Sequence, residues 1–387
     1  MLPGATTTSK LTLKSRISQC FSPNPMASEM ASQALLNELL ERLAVGESLT
    51  QREWRQLEAA TLQDTRRAIA FGITAETIHT TLQTRSRLLQ AVYPSIQQFC
   101  QRHMSLSVNV IETLWHLWLP LAVWLATRRQ AVDRPWVQGI LGGQGTGKTT
   151  LGAILVLILQ VCGYQTVSLS LDDFYKTYDE RLRLRERDPR LLWRGPPGTH
   201  DLELGLQTLD ALRQLTPEQP IALPRFDKAL HDGAGDRIAP TLVSGADIIL
   251  FEGWFVGVRP VDPAVFEQAI APITTAGDRA FARDMNTKLS DYLPLWQRLD
   301  SLIVLYPVDY RLGKQWRKQA EQQMRDSGKP GMSDAEIDVF VEYFWKALHP
   351  ELLIKPLVVE PGWADLVIDI QADHTAGAVY RGGGTNA

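Results

Sequence analysis

Residues 136–150 read WVQGILGGQGTGKTT. Gly142 through Thr149 fit G-x-x-x-x-G-K-[ST], the spacing of a phosphate-cradling loop. The glycines let the backbone turn tightly and aim its N–H groups at phosphate oxygens. Lys148 has the reach for the β- and γ-phosphates, and the Thr149 hydroxyl is a ligand for Mg²⁺. A helix beginning at this point turns its positive end toward the same anion. The flanks agree with this reading: 136–141 is apolar enough for a buried strand and 150–159 for a buried helix. Gly142, Gly143, Gln144, Gly145, Thr146, Gly147, Lys148, Thr149 and Thr150 are therefore expected to hold a nucleoside triphosphate.

Outward from that loop, strand-like and helix-like runs alternate. Gln165–Leu171, Asp247–Phe251, Ser301–Tyr306 and Leu366–Ile370 read as strands. Asp201–Leu215, Val308–Ser327 and Ser333–Leu348 read as helices. Such alternation predicts an α/β fold, a parallel sheet with helices on both faces. Ligands on such sheets bind at the carboxyl ends of the strands.

Two acidic motifs fall at those ends. The second strand runs into Leu171-Asp172-Asp173-Phe174-Tyr175. A carboxylate there can orient an acceptor hydroxyl and take its proton, and can assist a metal ion. Helix or turn capping is the structural alternative for such acids. The third strand ends in Phe251-Glu252-Gly253-Trp254, four apolar residues and then one carboxylate, suited to Mg²⁺ or its bound water. A lone Glu followed by Gly suits a small-molecule kinase better than an ATPase motor.

Upstream, residues 1–28 carry no acid, many Ser and Thr, and the cations Lys10, Lys14 and Arg16. They read as a disordered leader resembling a transit peptide, which places the chain in the plastid stroma. With Met26 as a bacterial start, the location is the cytoplasm. Residues 29–134 read as helical throughout: a layer packed on the core, or an oligomer surface. Leu35, Leu36, Leu39, Leu40 and Leu43 form an apolar stripe, and Thr50 with Glu53 a capping box. A longer helical pattern from Thr74 to His103 is interrupted near Pro94. The apolar run 110–126 contains Glu112, His116 and Pro120. It is expected to fall short of a membrane span and to be a buried helix broken near Pro120, with His116 a satisfied interior side chain. The nucleotide-binding domain is expected over 135–375, and 376–387 as a flexible tail.

Composition narrows the partners. In a chain of 387 residues, 44% hydrophobic and 21% charged, the formal net charge of −3 gives no pull toward nucleic acid or anionic membranes. A small-molecule substrate is the expected partner. Cys20, Cys100 and Cys162 stand apart, with neither a metal spacing nor a disulfide framework, as in a reducing compartment.

Taken together, GGQGTGKTT, SLDDFY and ILFEGW resemble the P-loop kinase family that includes uridine kinase, phosphoribulokinase and pantothenate kinase. RGPPGTHD (194–201), LPRFDKALHDGAGDR (223–237) and WRKQAE (316–321) are similar to its glycerate-kinase subgroup of plants and cyanobacteria. The resemblance covers roughly 135–370. It implies ATP and Mg²⁺ as cofactors and D-glycerate as acceptor, with 3-phosphoglycerate returned to the photorespiratory cycle. It makes Asp172 the general base, Glu252 the Mg²⁺-associated acid, and Lys148 and Thr149 the phosphate and metal contacts, with Asp172 also near the metal. Phe226, Asp227 and His231 match acceptor-binding positions. Arg311, Lys314, Arg317 and Lys318 match cationic lid positions, which a solvated helix face explains equally well.

A carboxylate-bearing acceptor needs cations and hydroxyl partners. Arg194, His200, Arg225, Lys228, His231 and Arg237, on Gly- and Pro-rich loops, supply the candidates, with Asp173, Tyr175 and Asp227 beside them. Two alternatives remain at this stage: another acceptor of the same family (uridine, pantothenate or ribulose 5-phosphate), or a P-loop regulatory ATPase. Uridine would favour aromatic platforms, and a regulatory ATPase an Asp-Glu pair at residue 252.

Overall fold

A computed structural model of the chain describes residues 25–103, 109–216, 219–268, 270–326, 328 and 331–384. The leader reading of residues 1–28 falls largely outside them.

The apolar runs become β1 (Trp136–Gly142), β2 (Thr166–Ser170), β3 (Ile221–Asp227), β4 (Asp236–Val243), β5 (Ile248–Gly253), β6 (Ser301–Pro307), β7 (Leu366–Ile370) and β8 (Ala376–Tyr380). Six form one sheet in the order β2-β5-β1-β6-β7-β8. The pairs β2–β5, β5–β1, β1–β6 and β6–β7 are parallel; β7–β8 is antiparallel. Every residue of β1 is buried, as expected of a central parallel strand covered on both faces.

Alternation along the strands divides the interior in two. Trp136, Ile140, Ile248, Leu250, Ile303 and Leu366 join the core beneath the N-terminal helices and the helix Lys148–Val161. Val137, Leu141, Ile249, Phe251, Val304 and Val367 face the opposite core, shared with the helices Leu202–Arg213, Ala276–Lys288 and Asp334–Ala347. The expected α/β architecture is present.

The N-terminal region is a helical layer: Pro25–Ala44, Gln51–Gln63, Thr65–Ala70, Ile78–His103 and the run Val110–Gln130. Leu39, Leu40 and Leu43 of the predicted stripe are buried, whereas Leu35 is exposed. The Thr50–Glu53 capping box forms, Glu53 Oε2 accepting from Thr50 N at 2.6 Å.

Four expectations are corrected. Pro94 does not interrupt its helix, which continues through it. The lost hydrogen bond is offset by burial of Leu89, Val92, Ile96 and Cys100 on either side. Val110–Gln130 spans 21 residues at mean hydropathy 1.3, long and apolar enough to cross a membrane by length and composition. Its most apolar window is 61% buried within the fold, as in the core helix of a globular protein. The break expected near Pro120 is a π-helical segment, Leu114–Trp118, that delivers Pro120 to the first turn of the next α-helical stretch, where its missing N–H is harmless. Finally, Ala376–Tyr380, read as the start of a flexible tail, pairs with β7 and buries Val379 completely.

β3 and β4 form a separate antiparallel hairpin with an irregular register between Leu223 and Arg225. Its turn holds His231, Asp232, Gly233 and Gly235 at positive φ. The sequence reading had placed only binding loops there.

Candidate active site

The phosphate loop leaves β1 and enters the helix Lys148–Val161, with Gly145 at φ +79° and Gly147 at φ +84°. Both lie in the left-handed region that glycine adopts without a Cβ penalty. A Cβ on Gly145 would also stand 2.7 Å from Trp316 Cβ. Inside the loop, Thr146 Oγ1 and Lys148 Nζ donate to Gly143 O at 2.9 and 3.0 Å. Gln144 and Thr150 flank this turn; Gln144 Oε1 is buried without a partner. His374, in the turn between β7 and β8, places Nδ1 3.0 Å from Gly145 O and stacks on Trp316. Sequence reasoning missed His374 and gave Trp316 only as the first residue of WRKQAE, because their relation to the loop exists only through the tertiary fold.

Strand order brings the acidic motifs to this loop. β5 lies between β2 and β1, with Glu252 opposite both Ser170 and Ile140. Three consecutive strand tips therefore carry Asp172, Glu252 and the phosphate loop. Thr149 Oγ1 is 3.4 Å from Glu252 Oε1. Burial pushes the Lys148 ammonium down, and the charges of Glu252 and Asp172 oppose that shift. Burial likewise raises the Glu252 carboxyl, and Lys148 opposes it. Lys148, Thr149, Asp172 and Glu252 thus share one electrostatic neighbourhood.

The two acids after β2 have separate roles. Asp173 closes a capping box on the turn Leu171–Phe174, accepting from Ser170 N at 3.0 Å, and its Oδ2 also meets Arg225 Nη1 at 3.1 Å. Asp172 instead meets Lys228 Nζ at 2.6 Å. Burial alone would raise its carboxyl. The Lys228 charge and hydrogen bond, helped by His200 and the Tyr175 hydroxyl, hold it below the usual carboxylate range.

His200 is 1% exposed. Its Nδ1 meets Tyr292 Oη at 2.8 Å, its ring stacks on Tyr175, and its Nε2 is buried without a partner. Burial lowers its pKa to about 3, so the ring is neutral at pH 7.

Of the other acceptor-site candidates, several have polar atoms engaged within the loops. Arg237 donates to Tyr175 O and Asp201, both at 2.9 Å. Asp227 accepts from Ala229 N, and His231 Nε2 lies 3.2 Å from Asp236 Oδ2 while its ring stacks on Tyr178. Arg194 donates to Gly233 O and lies over the Phe226 ring. Arg181, which the sequence gave no reason to single out, lies over the same ring and donates to Ala234 O and Gly235 O. These contacts tie the 194–201 loop to the β3–β4 turn and so fix where Lys228 stands.

The candidate lid cations are engaged in ion pairs. Lys314 and Lys318 meet Asp338 and Glu342 of the helix Asp334–Ala347, Arg317 meets Glu321, and Arg311 meets Asp309. They form a salt-bridged helix face. Among the described residues no group of three or more His, Cys, Asp or Glu side chains is poised to hold a metal ion. The Thr149–Glu252 pair nevertheless suits Mg²⁺, which commonly takes one or two protein oxygens and completes its shell with phosphate and water.

No protein-family model matches the chain. It is 32% identical over 219 residues to the uncharacterized kinase mug58 of Schizosaccharomyces pombe, covering 54% of this chain and 79% of that one. It is 32% identical over 275 residues to the chloroplastic D-glycerate 3-kinase of Arabidopsis thaliana, covering 66% of this chain and 58% of that protein's length. Among solved structures, D-glycerate 3-kinase of Cryptococcus neoformans var. grubii superposes with TM-score 0.60 at 27% identity, covering 67% of this chain and 96% of that one.

Proposed function

This chain belongs to the P-loop kinase family of these relatives, and we propose that it transfers the γ-phosphoryl group of ATP to D-glycerate, giving 3-phospho-D-glycerate. The observation that carries the reading is the pairing of Lys228 Nζ with Asp172 Oδ2 at 2.6 Å beside the phosphate loop. Proton acceptor and cation stand together where a hydroxy acid would enter. The relatives named D-glycerate 3-kinase support this choice of acceptor.

In this proposal the phosphate loop and Lys148 hold the triphosphate and offset charge that develops on the transferred group. Asp172 orients the acceptor hydroxyl and takes its proton. Lys228 meets the glycerate carboxylate. Neutral His200, fixed by Tyr292 and Tyr175, offers Nε2 as a hydrogen-bonding atom in the buried wall beside Asp172. Thr149 and Glu252 would hold Mg²⁺, which when bound neutralises phosphate charge. Most of the acceleration comes from positioning and electrostatics.

The test is a coupled assay of the purified protein with ATP and D-glycerate, with the product isomer identified. ADP release that depends on glycerate and yields the 3-phosphate is expected. ATP consumption at the same rate without an acceptor, or a preference for uridine, pantothenate or ribulose 5-phosphate, sinks the reading.

A further inference from the structure

Gly145 stands at φ +79° in the phosphate loop, and residues from two other elements cover its outer side. Trp316, on the helix Leu312–Asp326, fills the space that a Cβ would need. His374, from the turn joining β7 to β8, places Nδ1 3.0 Å from the Gly145 carbonyl oxygen. A carbonyl only accepts, so His374 Nδ1 carries the proton. The ring stacks on Trp316 with centroids 4.7 Å apart, and Trp316 Nε1 donates to Ala372 O of the same turn at 3.0 Å.

The turn itself does not depend on the imidazole. Gln371 N donates to Thr375 O at 2.9 Å and His374 N to Gln371 O at 3.0 Å. Thr375 N and Oγ1 donate to Asp373 Oδ1 at 3.0 and 2.6 Å. His374 sits at φ +67°, a left-handed conformation that is costly for any residue but glycine, though histidine and asparagine adopt it more readily than most. Glycine would close this turn with less strain. What the side chain at 374 adds is its contact with the phosphate loop.

We infer that His374 is a positioning residue for triphosphate binding, acting through the Gly145–Thr146 peptide. In a trans peptide the C=O and the following N–H point to opposite sides. Holding Gly145 O outward on His374 turns the Thr146 N–H inward. There Thr146 N stands 3.5 Å from Gly143 O, the oxygen that Lys148 Nζ also meets at 3.0 Å. An inward N–H in such a loop is one of the donors that cradle phosphate oxygens. Without the imidazole the peptide can rotate, and binding must bear the cost of ordering it. The inference rests on the phosphate-loop reading of the proposed function and not on the choice of acceptor.

The test is calorimetric titration of the full chain, with Mg²⁺ in the buffer, using a non-hydrolysed ATP analogue and using tripolyphosphate, which has no base. His374→Gly removes the side chain and relieves the turn. Both ligands are expected to bind it about fivefold more weakly, the scale of one lost hydrogen bond. His374→Asn offers an amide Nδ2 where the imidazole Nδ1 stands, and is expected to return both affinities to within about twofold of the wild type. Unchanged affinity in His374→Gly, a loss confined to the ATP analogue, or failure of His374→Asn to recover the loss overturns the inference. Lys148→Ala is the control. Weakened binding there beside unchanged binding in His374→Gly overturns this inference alone, whereas no binding by the wild type overturns the phosphate-loop reading with it. Circular dichroism checks that the variants are folded. Should His374→Gly not be, His374→Asp keeps the turn's backbone preference without a donor, and wild-type affinity for tripolyphosphate there overturns the inference equally.

Discussion

Lys228 Nζ stands 2.6 Å from Asp172 Oδ2, so the carboxylate at the end of β2 is paired with a cation delivered by the β3–β4 hairpin. The pair joins two elements that do not share a sheet. It gives Asp172 two traits suited to a proton acceptor: it stays ionised despite burial, and it sits where an acceptor's own negative charge can be met.

Asp172→Asn should lower kcat by roughly a hundred- to ten-thousandfold, the range attributed to a positioned general base. The KM for ATP should change little, since Asp172 makes no contact within the phosphate loop. Steady-state kinetics in both substrates separates the two effects, and an unchanged kcat removes Asp172 from the base role.

Lys228→Met should move the acid limb of the kcat/KM profile to higher pH. Lys228 favours the ionised form of Asp172 and so lowers its pKa. Without it burial dominates and the carboxyl protonates at a higher pH than before. The KM for glycerate should also rise, by about tenfold for loss of a charge-assisted contact. A profile identical to that of the wild type refutes the coupling.

Gly145→Ala forces a Cβ to within 2.7 Å of Trp316 at φ +79°. The helix Leu312–Asp326 or the phosphate loop must shift, at a cost of about 1–3 kcal/mol by the usual scale of overpacking. A lower melting temperature and a raised KM for ATP are expected together. Melting alone, with ATP binding intact, would show that Trp316 does not shape the loop.

Acid should destabilise the fold well before the carboxylates titrate. His116 and His200 each have a folded pKa of about 3 against an ordinary value of 6.5. Between those values the unfolded chain binds protons that the native chain refuses. Stability present above pH 6.5 is therefore lost as pH falls, by up to about 1.4 kcal/mol per pH unit for each histidine. His116→Gln should flatten that slope by one proton in denaturant titrations from pH 7 to pH 4. A slope equal to that of the wild type would show that His116 keeps its ordinary pKa in the fold.

The phosphate loop was legible because its function depends on local geometry: glycines at fixed offsets, then Lys and Thr at a helix start. The parallel strands were legible for a similar reason, since burial on both faces leaves near-continuous apolar runs such as Ile248–Phe251. Less legible were elements whose apolar side faces only one neighbour. β8 is a short edge strand that reads as tail, and the β3–β4 hairpin is mostly half-buried or exposed. Both are held by pairing with a partner that local sequence does not disclose.

The sequence by itself determined that this chain builds a triphosphate loop on an α/β sheet and places carboxylates at strand ends, because strand burial and loop geometry are properties of short segments. It separated Asp172 from Asp173 only through the family resemblance, and did not show what either carboxylate touches or which loop cations reach the site. Only the tertiary structure decided those partners: Asp173 closes its own turn and binds Arg225, while Asp172 meets Lys228 from a separate hairpin. The physical reason is that hydrogen bonds and ion pairs act over about 3 Å, and which groups come that close is set by strand order and crossing connections rather than by distance along the chain.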